Sequence, residues 1–170
     1  MGHGSADRPQ LTRLLTEAGV RSIVDVRRFP HSRRNPDVRQ EALQRWLPES
    51  GIAYRWDERL GGRRHSPAGS ADPDTWWTVP AFRAYAAHTR TPEFIAALDL
   101  LLEEACTGTV SVMCSEAVWW RCHRRLIADV TTLARGVPVR HLMPDGRLNP
   151  HPTAEGARLR PDGLVIWDRG

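Results

Sequence analysis

Residues 110–129 read V-S-V-M-C-S-E-A-V-W-W-R-C-H-R-R-L-I-A-D. An apolar, β-branched run ends in Cys114, a loop carries Glu116 and two tryptophans, and a helical pattern starts near Cys122, His123 and Arg124. A strand that passes through a short loop into a helix is the repeating unit of α/β folds. The same junction gathers two thiols, a carboxylate, an imidazole and arginines around a helix N-terminus. Unpaired N–H groups and a partial positive charge at such a terminus favour bound anions and lower the pKa of a nearby thiol.

Working outward, Leu126, Ile127, Val130, Leu133 and Ala134 form one apolar helical stripe that Gly136 ends, and 137–142 reads as a further parallel strand. At about 100° per residue, Cys122 and His123 fall at the edges of that stripe and face the sheet. Toward the N-terminus, Leu11, Leu14, Leu15 and Ala18 predict a helix over 9–18, stopped by Gly19. Ile23, Val24 and Val26 mark a buried strand. Asn35 reads as an N-cap with Pro36 at the first helical position, and Leu43, Trp46 and Leu47 give that helix its inward face up to Gly51.

A strand over 52–56 follows, then a Gly-, Ser-, Pro- and Asp-rich loop over 61–75. Helices are expected over 82–88 and from Thr91, the latter burying Phe94, Leu98, Leu101, Leu102 and Ala105, and the strand over 109–113 returns the chain to the opening stretch. Turn residues Pro144, Asp145 and Gly146 precede a late apolar patch at 164–167, read as an edge strand. The pattern predicts one three-layer α/β domain over 1–143, with a mostly parallel sheet and helices on both faces. Residues 144–170 form an extension packed on the same domain. No internal repeat is present.

With 170 residues and 41% hydrophobic composition, the chain can bury one adequate core. No run is long enough to cross a bilayer and the N-terminus lacks a signal-peptide core, so a cytoplasmic protein without a membrane partner is expected. Three cysteines, an odd number, argue for free thiols rather than a disulfide framework. All 24 basic residues are arginine and the net charge is +4. A coding preference for arginine over lysine, as GC-rich genomes have, is the expected cause of that bias. Functional weight therefore goes to arginines clustered at a strand end: Arg27, Arg28, Arg33 and Arg34, with Ser32 among them, and the pair Arg63 and Arg64 after two glycines.

Set side by side, G-H-G-S at 2–5, V-D-V-R-R-F-P-H-S-R-R-N-P at 24–36, G-I-x-Y at 51–54, L-G-G-R-R at 60–64, M-C-S-E at 113–116 and C-H-R-R at 122–125 make the chain resemble the bacterial family called domain of unknown function 488. The resemblance implies a short strand ahead of the G-H-G-S motif, so the first strand here is read as missing or shortened. It also brings His3 and Ser5 into the candidate site. Membership implies no established activity.

Ligands of open parallel sheets bind outside the carboxyl ends of the strands. Asp25–Arg28 and Cys114–Glu116 lie at two such ends. The expected site therefore has Cys114, Glu116, His123 and Asp25 as the chemical groups, with Cys114 or Glu116 as nucleophile or base and His123 as proton carrier. His3, Ser5, Arg27, Arg28, Ser32, Arg33, Arg63, Cys122 and Arg124 would bind the substrate. The chemistry suits transfer or hydrolysis on a phosphate-bearing small molecule, a nucleotide or a nucleic acid. Trp119, Trp120, Trp76 and Trp77 read mainly as packing residues, with one of each pair available to stack on a base.

Two other readings stand beside this one. The D-V-R strand followed by a strand-ending cysteine is similar to rhodanese, which would make Cys114 a sulfur carrier. The arginines alone could form a non-enzymatic nucleic-acid or partner-binding surface. Spacing argues against three further sites. Seven residues separate Cys114 from Cys122, unlike paired structural zinc ligands, so no metal or other cofactor is expected. Trp119 stands where C-x-x-C-H haem attachment needs a cysteine, and Trp120 where a C-x5-R phosphatase loop needs its arginine.

Overall fold

A computed structural model describes residues 1–65 and 73–168. Ile23, Val24, Asp25 and Val26 are all shielded from solvent, as befits a strand covered on both faces. They belong to β1 (Ser22–Asp25), which runs parallel to both β2 (Ala53–Trp56) and β3 (Val110–Met113). The sheet order is β2-β1-β3. Asp25 lies in register with Trp56 on one side and Met113 on the other, so three strand ends finish together.

Successive side chains of β1 point to opposite faces. Ile23 joins a cluster with Leu11 and Leu15 of α1 (Arg8–Glu17) and with Leu43, Trp46 and Leu47 of α2 (Gln40–Glu49). Val24 and Val26 join another with Tyr85 of α3 (Pro80–His88), Phe94 and Leu98 of α4 (Pro92–Ala105), and Leu126 and Ile127 of α5 (Arg124–Arg135). The helix ends carry the expected chemistry. Asp7 and Gln10 form a reciprocal capping box at α1, Thr91 Oγ1 accepts the Phe94 N–H at α4, and Gly136 leaves α5 at a φ of 65°.

Three local expectations are corrected. Asn35 and Pro36 open a 3-10 turn (Pro36–Val38) instead of the long helix. Asn35 Oδ1 accepts from the Asp37 N–H and Arg39 N–H bonds back to Pro36, so the turn closes and the chain extends at Arg39 before α2 begins. Likewise a 3-10 turn (Trp119–Arg121) precedes Cys122, which is extended at φ −125°, and α5 starts only at Arg124. The strand expected over 137–142 is shorter, β4 (Arg140–Leu142), and pairs antiparallel with β5 (Leu148–Pro150). The turn at Asp145 and Gly146, with Asp145 Oδ1 accepting the Arg147 N–H, folds it back on itself.

The late patch is β7 (Val165–Trp167), an edge strand as expected, paired antiparallel with β6 (Ala157–Leu159) in a two-stranded sheet and buried by the packing around it. Beside β3 the place of a further strand is taken by the N-terminus. Gly2 bridges Cys114 in parallel, and the Met1 amine donates to the Val112 carbonyl at 2.7 Å. Residues 66–72 of the long loop lie outside the described residues. Among those described, no helix is long and apolar enough to cross a membrane.

Candidate functional site at the carboxyl ends of the sheet

Because β1 and β3 are neighbours in parallel, the chain after Val24 and the thiol of Cys114 come together. Asp25 is fully buried at the end of β1, and its carboxylate is taken up three ways. Arg27 Nε donates to Oδ1 at 2.8 Å, Arg27 Nη2 to Oδ2 at 2.5 Å, and the Tyr54 hydroxyl to Oδ2 at 2.8 Å. Burial, followed by the Asp25 charge and hydrogen bond, pushes the Tyr54 phenol well up, so it stays a donor.

Arg27 Nη1 reaches His3 Nε2 at 3.3 Å. A guanidinium only donates, so Nε2 accepts and Nδ1 carries the proton that goes to the Gly4 carbonyl at 3.0 Å. Burial and the Arg27 charge lower the His3 pKa, in keeping with this neutral tautomer. His3, Asp25, Arg27 and Tyr54 thus form one closed polar network. The donors of Arg27 are committed to it, which makes this arginine an architectural member of the site.

Cys114 and Cys122 are both buried and meet across the strand–helix junction. Together with His123 they place one sulfur, one sulfur and one ring nitrogen within 4.8 Å of one another. Cys122 Sγ lies 3.6 Å from His123 Nδ1 and accepts from Arg124 Nε at 3.3 Å. The hydrogen bond with the Cys122 sulfur, aided by burial, pushes the Cys114 thiol up to about 11. The partner effect on Cys122 is opposite: the Cys114 hydrogen bond, assisted by Arg124 and opposed by burial, brings it down to about 6. Arg124 is itself buried and also donates to the Glu116 backbone carbonyl, which pins the loop to the start of α5. His123 packs against Tyr85 at a ring separation of 4.9 Å, and its Nε2 is buried without a hydrogen-bond partner.

The remaining candidates separate into rim and bystanders. Phe29 is 61% exposed, and the guanidinium carbons of Arg28 and Arg63 each lie 6.0 Å from its ring centroid. Arg33 is exposed on the same loop as Arg28. Ser32 Oγ accepts the Asn35 N–H, a turn contact. Glu116 is exposed with its carboxylate toward the Val118 N–H at 3.5 Å, and Ser5 is exposed. Arg64 is spent on the carbonyls of Glu58, Arg59 and Gly61. Of the tryptophans, Trp120 is 46% exposed while Trp119 stacks on His141 at 4.1 Å, and Trp77 is buried edge-on to Trp76. A cavity of about 650 Å³ lies beside β3 and α5, lined by Met1, Ser111, Arg124 and His141 among others.

Sequence reasoning missed Tyr54, Tyr85, Gly62 and a buried chain running from α5 into the C-terminal segment. Gly62 faces His123: a Cβ there would lie 2.8 Å from Nδ1. In the chain, Asp129 Oδ1 accepts from His151 Nε2 at 2.8 Å and from the Ala154 N–H at 3.0 Å, Asp129 Oδ2 accepts from Trp167 Nε1 at 2.9 Å, and His151 Nδ1 meets His141 Nε2 at 2.8 Å. Signals were available: Tyr54 and Gly62 stand in the G-I-x-Y and L-G-G-R-R motifs, and Asp129 is an acidic residue beside the apolar stripe of α5.

Fold and site together define an α/β protein that collects two thiols, an imidazole and locked arginines at the carboxyl ends of a short parallel sheet. Its sequence places it more narrowly. The chain belongs to the family described as Domain of unknown function DUF488, whose model matches residues 8–131. No curated protein and no solved structure matches it.

Proposed function

We propose that the rim formed by Arg28, Phe29, Arg33 and Arg63 binds a phosphate-bearing ligand, a nucleotide or a nucleic acid. One observation carries this reading. An exposed phenyl ring is flanked by two guanidinium groups, and among the described residues neither Arg28 nor Arg63 has a side-chain hydrogen bond or ion pair. Elsewhere Arg8 is paired with Glu49, Arg90 with Asp74, Arg135 with Asp99 and Arg147 with Asp145, while other surface arginines such as Arg13, Arg45 and Arg121 are also without a carboxylate partner among the described residues. What sets the rim apart is the exposed aromatic face between its guanidinium groups. Uncompensated guanidinium charge beside an aromatic face suits a phosphate next to a base.

Titration of a labelled single-stranded oligonucleotide and of nucleoside monophosphates, followed by anisotropy or calorimetry at several salt concentrations, tests the reading. Binding should weaken with salt and with Arg28→Ala or Arg63→Ala. Salt-independent binding, or affinity untouched by both substitutions, would remove the rim from the account.

Any chemistry on that ligand would rest on the cluster of Cys114, Cys122 and His123, whose two sulfurs are buried; a pure binding module would use the rim alone. Rhodanese-like sulfur transfer through Cys114 has weaker support, because that sulfur is buried within the main apolar cluster. Incubation with thiosulfate and peptide mass analysis decides it: a persulfide on Cys114 would restore that option.

A further inference from the structure

We infer that Cys114, Cys122 and His123 form a zinc site with three protein ligands. Spacing along the chain hides it, since structural zinc motifs set paired cysteines two to four residues apart. The fold overrides the spacing. β3 delivers Cys114 at its end, while the 3-10 turn Trp119–Arg121 and the extended conformation of Cys122 turn the second sulfur back toward the first. Among the described residues the two sulfurs and one ring nitrogen of this trio converge to within 4.8 Å of one another.

The sulfur–nitrogen separation suits a tetrahedral ion. With Zn–S near 2.3 Å and Zn–N near 2.0 Å, sulfur and nitrogen ligands stand about 3.5 Å apart. Cys122 Sγ and His123 Nδ1 are 3.6 Å apart. Two thiolates and an imidazole form a soft donor set that favours zinc over magnesium or calcium. The surroundings also match a bound thiolate. Arg124 Nε–H points at Cys122 Sγ, the kind of outer donor that orients a metal ligand. Among the described residues His123 Nδ1 has no hydrogen-bond partner other than Cys122 Sγ, so that nitrogen is not committed elsewhere, while ligation through it leaves the Nε2–H buried without an acceptor.

Three protein ligands leave a fourth position for water or a ligand atom, as in catalytic rather than structural zinc centres. The backbone of Gly62 closes on the Nδ1 side of His123, where a Cβ would come to 2.8 Å. A larger residue there would crowd the imidazole against the metal position. Coordinating thiols must be deprotonated, so uptake falls in acid.

The test uses the full chain, reduced and stripped with chelator, then titrated with cobalt(II) as a spectroscopic stand-in for zinc. The expected result is one cobalt per chain, with thiolate-to-cobalt charge transfer in the near ultraviolet and intense visible bands of four-coordinate cobalt, bleached by zinc. Cys114→Ser and Cys122→Ser should each lose most of the charge transfer, and His123→Ala should shift the visible bands, whereas Cys106→Ser, at an exposed helix end, should change nothing. Should the buried variants misfold, the wild type still decides. Zinc must slow iodoacetamide labelling of Cys114 and Cys122 while Cys106 reacts at its usual rate. Absent charge transfer in the reduced wild type, or thiols unprotected by zinc, overturns the proposal. Arg28 and Arg63 are not ligands, so failure of the metal site leaves the rim reading intact, and the reverse also holds.

Discussion

Asp25 and Arg27, two residues apart on the turn that leaves β1, form a buried bidentate ion pair: Nε to Oδ1 at 2.8 Å and Nη2 to Oδ2 at 2.5 Å, with side chains 0% and 6% exposed. Removing one partner of such a pair strands the other charge. Arg27→Ala should therefore cost about 3–5 kcal/mol of folding stability. Guanidinium denaturation checks it, and a loss below about 1 kcal/mol, the range of solvated surface pairs, would show that water reaches the carboxylate.

At the rim, Arg28 and Arg63 should behave differently from Arg27. Each alanine substitution should leave the midpoint of unfolding nearly unchanged but lower the salt slope of oligonucleotide binding by about 1. Phe29→Ala should weaken binding by about 1–3 kcal/mol if a base stacks on the ring. Equal effects on poly-anionic heparin and on the oligonucleotide would instead point to charge alone.

Asp129 holds the C-terminal segment to α5 by accepting from His151, Ala154 and Trp167. Asp129→Ala leaves these buried donors without their acceptor, and each unsatisfied group costs about 1–3 kcal/mol. The visible consequence should be protease cleavage within 144–168 before the preceding α/β unit is cut, read by mass spectrometry. Simultaneous loss of both parts would show that the segment and the sheet unfold as one.

His141 supplies a pH dependence. Burial, and then the neighbouring His151, the N-terminal amine and Arg124, bring its pKa down from 6.5 to about 3. Across that window the unfolded chain holds a proton that the folded chain lacks, so stability should fall as pH drops from 6.5 toward 3. His141→Phe, which keeps a ring on Trp119, should flatten that slope. Denaturation midpoints at a series of pH values measure it; an unchanged slope would assign the acid sensitivity to other groups.

Gly62→Ala brings a methyl group to 2.8 Å from His123 Nδ1 and so forces the ring or the loop to move. A destabilisation of about 1–3 kcal/mol is expected, the usual range for overpacking. A thermal melt indistinguishable from wild type would mean that the Gly61–Gly62 turn yields without strain.

Much of this molecule was legible in its residues. The run Ile23, Val24, Val26 identified the central strand, since only a strand shielded on both faces is so uniformly apolar. The start at Thr91 and the stop at Gly136 placed helix ends, because capping is settled by the side chains of a few neighbouring positions. The D-V-R and C-x7-C-H-R segments pointed to two strand ends, and β1 and β3 do lie side by side.

Other features depended on partners distant in sequence. Whether Arg27 faces a ligand or Asp25, whether Cys114 meets Cys122, and whether the strand at 140–142 joins the sheet or pairs with its own hairpin are all questions of which groups arrive together. Local sequence sets backbone preference and the periodicity of burial, which act over a few residues. The pairing of charges, thiols and rings is decided by strand order and crossovers that bring residues 3, 25, 54, 114 and 122 into one small volume, and only the folded chain specifies those.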